Sequence, residues 1–296
     1  MERAKVQKDA ERYAMLLDLV DVFGSGPLSG NPLAVVRGGE ALDEGAMLRL
    51  TRWLGYSETT FLLPPTDPGA DYRVRIFYPA GELPFAGHPT LGTAHAWLAA
   101  GGTARRAGSV IQECGIGLVE VRAQEDGRLG FRAPPLIRSG PLGAQDRAET
   151  VRLTGVDDAQ VVAAVHAANG PGWKLLHLVS AEAVLAAEPA AHAPAGTDVA
   201  LLGPCAPGGP ARFEVRAFYG NASGRLTEDP VTGSLNAAIA QYLFAGGQVR
   251  EGYVAAQGRK VGADGLVHCS RDAAGDIWIA GRVETVSTGG VLFPPG

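Results

Sequence analysis

Apolar and polar positions along the chain change period several times within short distances. The run MLLDLVDVF (15–23) mixes apolar residues with Asp18 and Asp21 as a half-buried strand does. GSGPLSGNP turns the chain and LAVV (33–36) reads as a second strand, giving a hairpin with a long tip. From Leu42 the spacing becomes helical. Met47, Leu48, Leu50 and Leu54 share a face, Asp43 and Glu44 lie in the first turn where the helix dipole favours acids, and Gly55 closes the segment. TTFLLPP and DYRVRIFY return to strand composition. GHPTLGTAHAWLAAGG follows, with Pro89 just inside a helix start and a glycine pair as its stop. That helix is almost wholly small or apolar, which predicts burial on all sides.

The same pattern recurs. At an offset of 141 residues (Arg75 to Arg216, His88 to Asp229), DYRVRIFY and its helix overlie ARFEVRAFY and its helix without a gap. Val74, Arg75, Phe77 and Tyr78 match Val215, Arg216, Phe218 and Tyr219, and Pro89, Gly92, Ala96 and Ala99 match Pro230, Gly233, Ala237 and Ala240. A hairpin led by a glutamine follows each helix, QECGIGLVEV in the first half and AAQGRKVGADGLVHC in the second. A period this long is a duplicated domain, not a solenoid repeat. The expected fold class is therefore α+β: two pseudo-symmetric domains, each a curved, barrel-like β-sheet wrapped around one central buried helix, with a cleft between them. Pro and Gly gather in RAPPLIRSGP (132–141), which sets the expected domains at 15–131 with 284–296 and at 132–283, after a charged tail over 1–14.

Composition narrows the function. The chain has 296 residues with 41 glycines and 20 prolines, enough turns for many short strands. A net charge of -5, with no basic stripe interleaved with aromatics, argues against a nucleic-acid partner. No apolar run is long enough to span a bilayer and the start lacks a secretory pattern, so no membrane partner and a cytoplasmic location are expected. Cys114, Cys205 and Cys269 are widely spaced and form no CxxC pair, and His88 and His95 come with no HExxH pattern, so no metal site is expected. GSGPLSG has Ser29 where a dinucleotide fingerprint needs its third glycine and leads into a strand, so no nucleotide cofactor is expected either.

Chemistry concentrates at the two helix starts, GHPTLG and EDPVTGS. Taken singly, Asp229 before Pro230 has the form of an N-cap followed by a first-turn proline, and His88 that of a packed loop residue. Taken as a pair in equivalent positions, with small Gly233 and Ser234 beside them, two helix N-termini converging on one cleft form a site for a carboxylate. In GYSETTF, Glu58 stands where a helix passes into a strand, flanked by Tyr56, Ser57 and Phe61. Partial desolvation with a raised pKa would suit it to acid/base work, against the plain reading of a solvated Glu at a strand start. Ser57 does not form a nucleophile elbow, since the turn runs from helix to strand and ends in Thr59.

GNPLAVV, SETTF, PAGELPFAGHPTLGTA, QECGIGLVEV, EDPVTGSLNAAIAQYL and the late AQG, in this order from about residue 16, together resemble the PhzF-like phenazine biosynthesis family, whose fold is diaminopimelate epimerase-like. The resemblance implies a cofactor-free isomerase in which Glu58 shuttles a proton between carbons of a small carboxylated substrate. It further implies that His88 and Asp229 flank the substrate, that Asn31, Ser57, Gly87, Gly233 and Ser234 bind it, and that the chain forms a homodimer. Related epimerases use a cysteine at each helix start. Here those places hold no cysteine, which argues against two-thiol racemisation. A non-catalytic protein binding a small carboxylate, and a lyase using the same glutamate, are the alternative readings.

Overall fold

The computed structural model describes residues 15–292, so the expected tail over 1–14 lies outside the described residues. The architecture is sheet-dominated α+β. Among the described residues five α-helices interrupt the strands: α1 (Glu44–Leu54), α2 (Gly87–Ala99), α3 (Ala144–Thr154), α4 (Ala181–Ala186) and α5 (Gly233–Ala245). The chain forms two compact units. One takes residues 15–22, 32–129 and 283–292, the other Phe23–Asn31 and Gly130–Arg282.

In the first unit, strand Met15–Val22 pairs antiparallel with Val283–Leu292. Strand Asn31–Arg37 runs parallel to Thr59–Leu63 after the α1 crossover, and Thr59–Leu63 pairs antiparallel with Tyr72–Tyr78. Tyr72–Tyr78 turns back through Gly81–Leu83 and lies parallel to Ser109–Cys114, beyond which Gly117–Ala123 completes a hairpin. Asp43, expected within the first turn, is instead the N-cap of α1 and accepts from Ala46 N, while Gly55 ends the helix in the left-handed region, as the sequence predicts. Helix α2 touches strands from both ends of this order and is buried over its first two turns. Its Gly92 is packed so tightly that a Cβ there would lie 2.5 Å from Leu33 Cδ2.

Met15–Val22 departs from a half-buried strand, because both Asp18 and Asp21 are inside. Asp18 accepts from Arg37 Nε (2.6 Å) and Nη2 (3.0 Å), from Thr288 Oγ1 (2.8 Å) and from Gly289 N (2.8 Å). Burial alone would raise this carboxyl, but those donors and the Arg37 charge hold it below its ordinary value.

The second unit repeats the connectivity. Strand Lys174–Leu178, helix α4 and the parallel strand Asp198–Pro204 lead into Phe213–Gly220, which folds back through Leu226–Asp229 into α5 and lies parallel to Tyr253–Gln257. The strands match at the expected offset of 141, but the helices do not. Both are 13 residues long and run at an offset of 146, Gly87 to Gly233 and Ala99 to Ala245. The hairpin before the helix makes the difference. Phe77 faces Glu82 in the first unit and Phe218 faces Glu228 in the second, so the second turn is five residues longer. An arginine–glutamate fork marks the equivalence, with Arg75 Nε donating to Glu82 Oε1 (2.8 Å) and Arg216 Nε to Glu228 Oε1 (3.0 Å). The gapless match of the helices is thereby corrected: the partner of His88 is Ser234, and Asp229 occupies the place of Leu83.

The expected domain limits also shift. Residues 23–31 belong to the second unit. Phe23 takes a left-handed backbone (φ 69), rare for a residue with a Cβ, and its ring fills the space that a side chain on Gly281 would need. Phe23 N donates to Arg282 O, Leu266 N to Phe23 O and Asp264 N to Ser29 O, stitching the segment to second-unit strands.

A pair of glycines holds both helix entries close to the strands behind them. A Cβ on Gly115 would lie 2.6 Å from Pro84 Cα, and one on Gly258 (φ 101) 2.5 Å from Pro230 O. These prolines are equivalent at the offset of 146, three residues before each helix. Gly115→Ala and Gly258→Ala should each cost on the order of 2–4 kcal/mol in urea unfolding, because backbone must move to admit the methyl group. Alanine at Gly55, equally left-handed but with open space around it, should cost only about 1–2 kcal/mol.

Candidate active site

Helix α2 starts with Ala86 at its N-cap and no side chain capping it, so its first N–H groups and the positive end of its dipole are presented from buried backbone. His88, in this first turn, is 4% exposed. Its Nε2 lies 3.5 Å from Oε2 of Glu58. Glu58 stands one residue before strand Thr59–Leu63, where Gly55 has ended α1 and Tyr56 and Ser57 carry the chain round a bend. Its side chain is 19% exposed, withdrawn from water but still reachable. Burial lowers His88 to about 3, so at neutral pH the ring is uncharged. The pair is thus a carboxyl beside a neutral imidazole that has one N–H and one lone pair to offer. Ser57 and Gly87 flank this pair in sequence, each adjoining one of its members.

The second unit gathers Asn31, Asp229, Gly233 and Ser234 around the start of α5. Asp229 is not an N-cap: it ends strand Leu226–Asp229, and α5 begins at Gly233 behind Thr232, again with no side-chain cap. The first unit has the same arrangement, with Leu83 ending its strand before Pro84 and α2 starting at Gly87, so in both halves this proline, Pro84 or Pro230, belongs to the turn and not to the first helical turn. Asn31 Nδ2 donates to Asp229 Oδ1 (3.1 Å) and to Val231 O (2.9 Å), and Thr232 Oγ1 donates to Asp229 Oδ2 (2.5 Å). Burial raises the Asp229 carboxyl to about 6 against these two donors, with the nearby Glu228 charge adding to the rise. Ser234 accepts from Asn169 Nδ2 at its carbonyl (2.8 Å) and from Trp173 Nε1 at its hydroxyl (3.4 Å).

Each predicted residue therefore falls into one of two constellations: Ser57, Glu58, Gly87 and His88 in the first unit, and Asn31, Asp229, Gly233 and Ser234 in the second. Thr232, Gln257, Asn169 and Trp173 were not among the sequence candidates. For Gln257 a signal existed, because a glutamine leads the hairpin after each helix. In the structure Gln112 Nε2 donates to Thr90 Oγ1 in the first turn of α2, and Gln257 Oε1 accepts from Asn236 Nδ2 in the first turn of α5. Among the described residues, no three His, Cys, Asp or Glu side chains gather as they would around a metal ion.

The sequence profile of the phenazine biosynthesis-like protein family (PhzC-PhzF) matches residues 20–289. The trans-2,3-dihydro-3-hydroxyanthranilate isomerase of Pseudomonas fluorescens is 33% identical over 286 residues, covering 94% of this chain and 97% of that protein. A fission yeast protein named antisense-enhancing sequence 1 is 28% identical over 91% of this chain and 96% of its own length. The solved structure of a predicted epimerase from Pseudomonas aeruginosa superposes with a TM-score of 0.74 at 27% identity, over 94% of this chain and 99% of that one.

Burial moves the two titrating groups in opposite directions, and stability should follow. His88 stays neutral down to about 3, whereas an unfolded histidine takes up its proton near 6.5, so acidification through that window favours the unfolded chain. Asp229 keeps its proton up to about 6 against an ordinary 3.8, so its contribution is present below 3.8 and lost as pH rises through 6. In urea unfolding between pH 6.5 and pH 4.5, His88→Asn should remove an acid-driven loss on the order of 2 kcal/mol. Asp229→Asn should make the loss over the same range steeper.

Proposed function

Because the chain belongs to the phenazine biosynthesis-like (PhzC-PhzF) family and is an isomerase, we propose that it moves a proton between carbons of a small carboxylated substrate, with Glu58 as the acid/base and no cofactor. The observation that carries this reading is the Glu58 carboxyl beside neutral His88 at the uncapped, buried start of α2. Glu58 takes a proton from a carbon activated by its neighbours and returns it at another carbon of the same molecule. One carboxyl serves as base and then as acid, so positioning carries much of the rate. His88, uncharged, orients the substrate through its N–H or lone pair. The positive end of α2 favours the substrate carboxylate. Asp229, accepting from Asn31 and Thr232, receives an amine or hydroxyl of the substrate, with Ser57, Gly87, Gly233 and Ser234 lining its binding. The substrate we propose is of the 2,3-dihydro-3-hydroxyanthranilate type, a carboxylate with an amine and a hydroxyl on one ring. A cytoplasmic homodimer belongs to the same reading, and the three free cysteines fit a reducing compartment.

The test is proton exchange followed by NMR in deuterated water, with 2,3-dihydro-3-hydroxyanthranilate offered to wild type and to Glu58→Gln. Wild type should incorporate deuterium and form product. Glu58→Gln should bind the substrate yet exchange slower by about 10²–10⁴-fold. Binding by both proteins with no exchange in either would replace the isomerase with a carboxylate-binding protein, and loss of water from the substrate would replace it with a lyase.

A further inference from the structure

Gln257, fully buried at the end of strand Tyr253–Gln257, uses all four of its hydrogen-bonding positions. Oε1 accepts from Thr232 N (3.1 Å) and Asn236 Nδ2 (2.9 Å), while Nε2 donates to Asp229 O (3.2 Å) and Thr232 Oγ1 (2.9 Å). Two of these partners fix the amide's orientation. The backbone N–H of Thr232 can only donate and the carbonyl of Asp229 can only accept, so a flipped amide would set like against like at both. The Thr232 hydroxyl therefore accepts from Gln257, and its single proton is left for Asp229 Oδ2, 2.5 Å away. Asn31 Nδ2 serves the other carboxyl oxygen.

We infer that Gln257 is a positioning residue for the reaction, acting through the Thr232 hydroxyl to keep Asp229 a hydrogen-bond acceptor aimed at a substrate N–H or O–H. This rests on the reading of Asp229 as the group that holds the substrate. Without the amide, the hydroxyl is free to rotate and to accept from Asp229, and the carboxyl then gains a proton in the orientation where it should receive one from the substrate. The first unit shows the frame of this device without its end point. Gln112 joins Tyr72 OH (3.0 Å) to Thr90 Oγ1 (3.0 Å) at the start of α2, but the place equivalent to Asp229 holds Leu83 and that of Thr232 holds Ala86. The amide–hydroxyl–carboxyl chain is thus peculiar to the second half, and its glutamine sits two residues further along its strand than the counterpart of Gln112, since Gln112 faces Tyr72 whereas Phe213 faces Ala255.

Thr232→Val, Thr232→Ser and Gln257→Leu test the inference in two ways. In the unliganded protein, ¹³C NMR follows the titration of the Asp229 carboxyl. With substrate, the pH dependence of proton exchange gives kcat and KM. Thr232→Val should raise the Asp229 midpoint by about one pH unit, since it removes a donor to the charged form, and Gln257→Leu should raise it by less. Both should lower kcat/KM by about 10–100-fold, mainly through KM, with the profile displaced to higher pH in step with the titration. Thr232→Ser, which keeps the hydroxyl, should restore both. The inference is overturned if Thr232→Val leaves the midpoint and the profile at their wild-type positions, or if Thr232→Ser behaves like Thr232→Val. Should Gln257→Leu fail to fold, the valine and serine variants decide the matter. Glu58→Gln should abolish exchange while leaving the Asp229 midpoint in place. Absence of exchange in wild type would thus count against the isomerase mechanism, and the titrations alone would still judge the relay.

Discussion

A helix buried from its first residue must find partners for backbone N–H groups that it cannot satisfy itself, and this demand organises both halves of the molecule. Helices α2 and α5 start at buried glycines with no capping side chain. Around each start the chain is fixed by a proline turn, a glycine pressed against that turn and a buried glutamine bonded into the first helical turn. What remains at each helix mouth is the positive end of a helix dipole in a place withdrawn from bulk water.

The halves have divided the labour around this common frame. The first sets a carboxyl, Glu58, against an imidazole that burial keeps uncharged. The second sets a carboxyl between two neutral donors, Asn31 and Thr232, where it competes for protons near physiological conditions yet stays oriented to accept. Catalysis by general acid and base asks for groups of unlike proton affinity, each held by its surroundings. Desolvation lowers His88 and raises Asp229, and the hydrogen bonds around Asp229 fix its direction.

Much of this was legible in the residues. The duplication and the two buried helices followed from spacing and composition, because strand alternation and an all-apolar helix are local signals, whereas Asp229, which the spacing set as an N-cap opposite His88, ends a strand instead. The register between the halves was not legible, since a gapless match preserved Pro89 over Pro230 and Gly92 over Gly233 at the expense of five residues in a hairpin. Only the ladder, with Phe77 opposite Glu82 and Phe218 opposite Glu228, reveals the insertion. The allegiance of residues 23–31 was equally hidden, since it depends on Gly281 making room for Phe23 more than two hundred residues away in sequence. Asp18 misled in another way. Its polarity reads as outward-facing, and only the meeting with Arg37, Thr288 and Gly289 lets it turn inward.

The pairing of Met15–Val22 with Val283–Leu292 bears on how the protein is made. A ribosome releases the first of these strands more than two hundred residues before its partner, and until then the nascent first unit has an open strand edge and Asp18 lacks two of the donors that hold it inside. The second unit has no such wait among the strands from Tyr253 to Gly281, where each pairs with the next along the chain. The first unit, with Glu58 and His88, therefore closes only once Val283–Leu292 has been made.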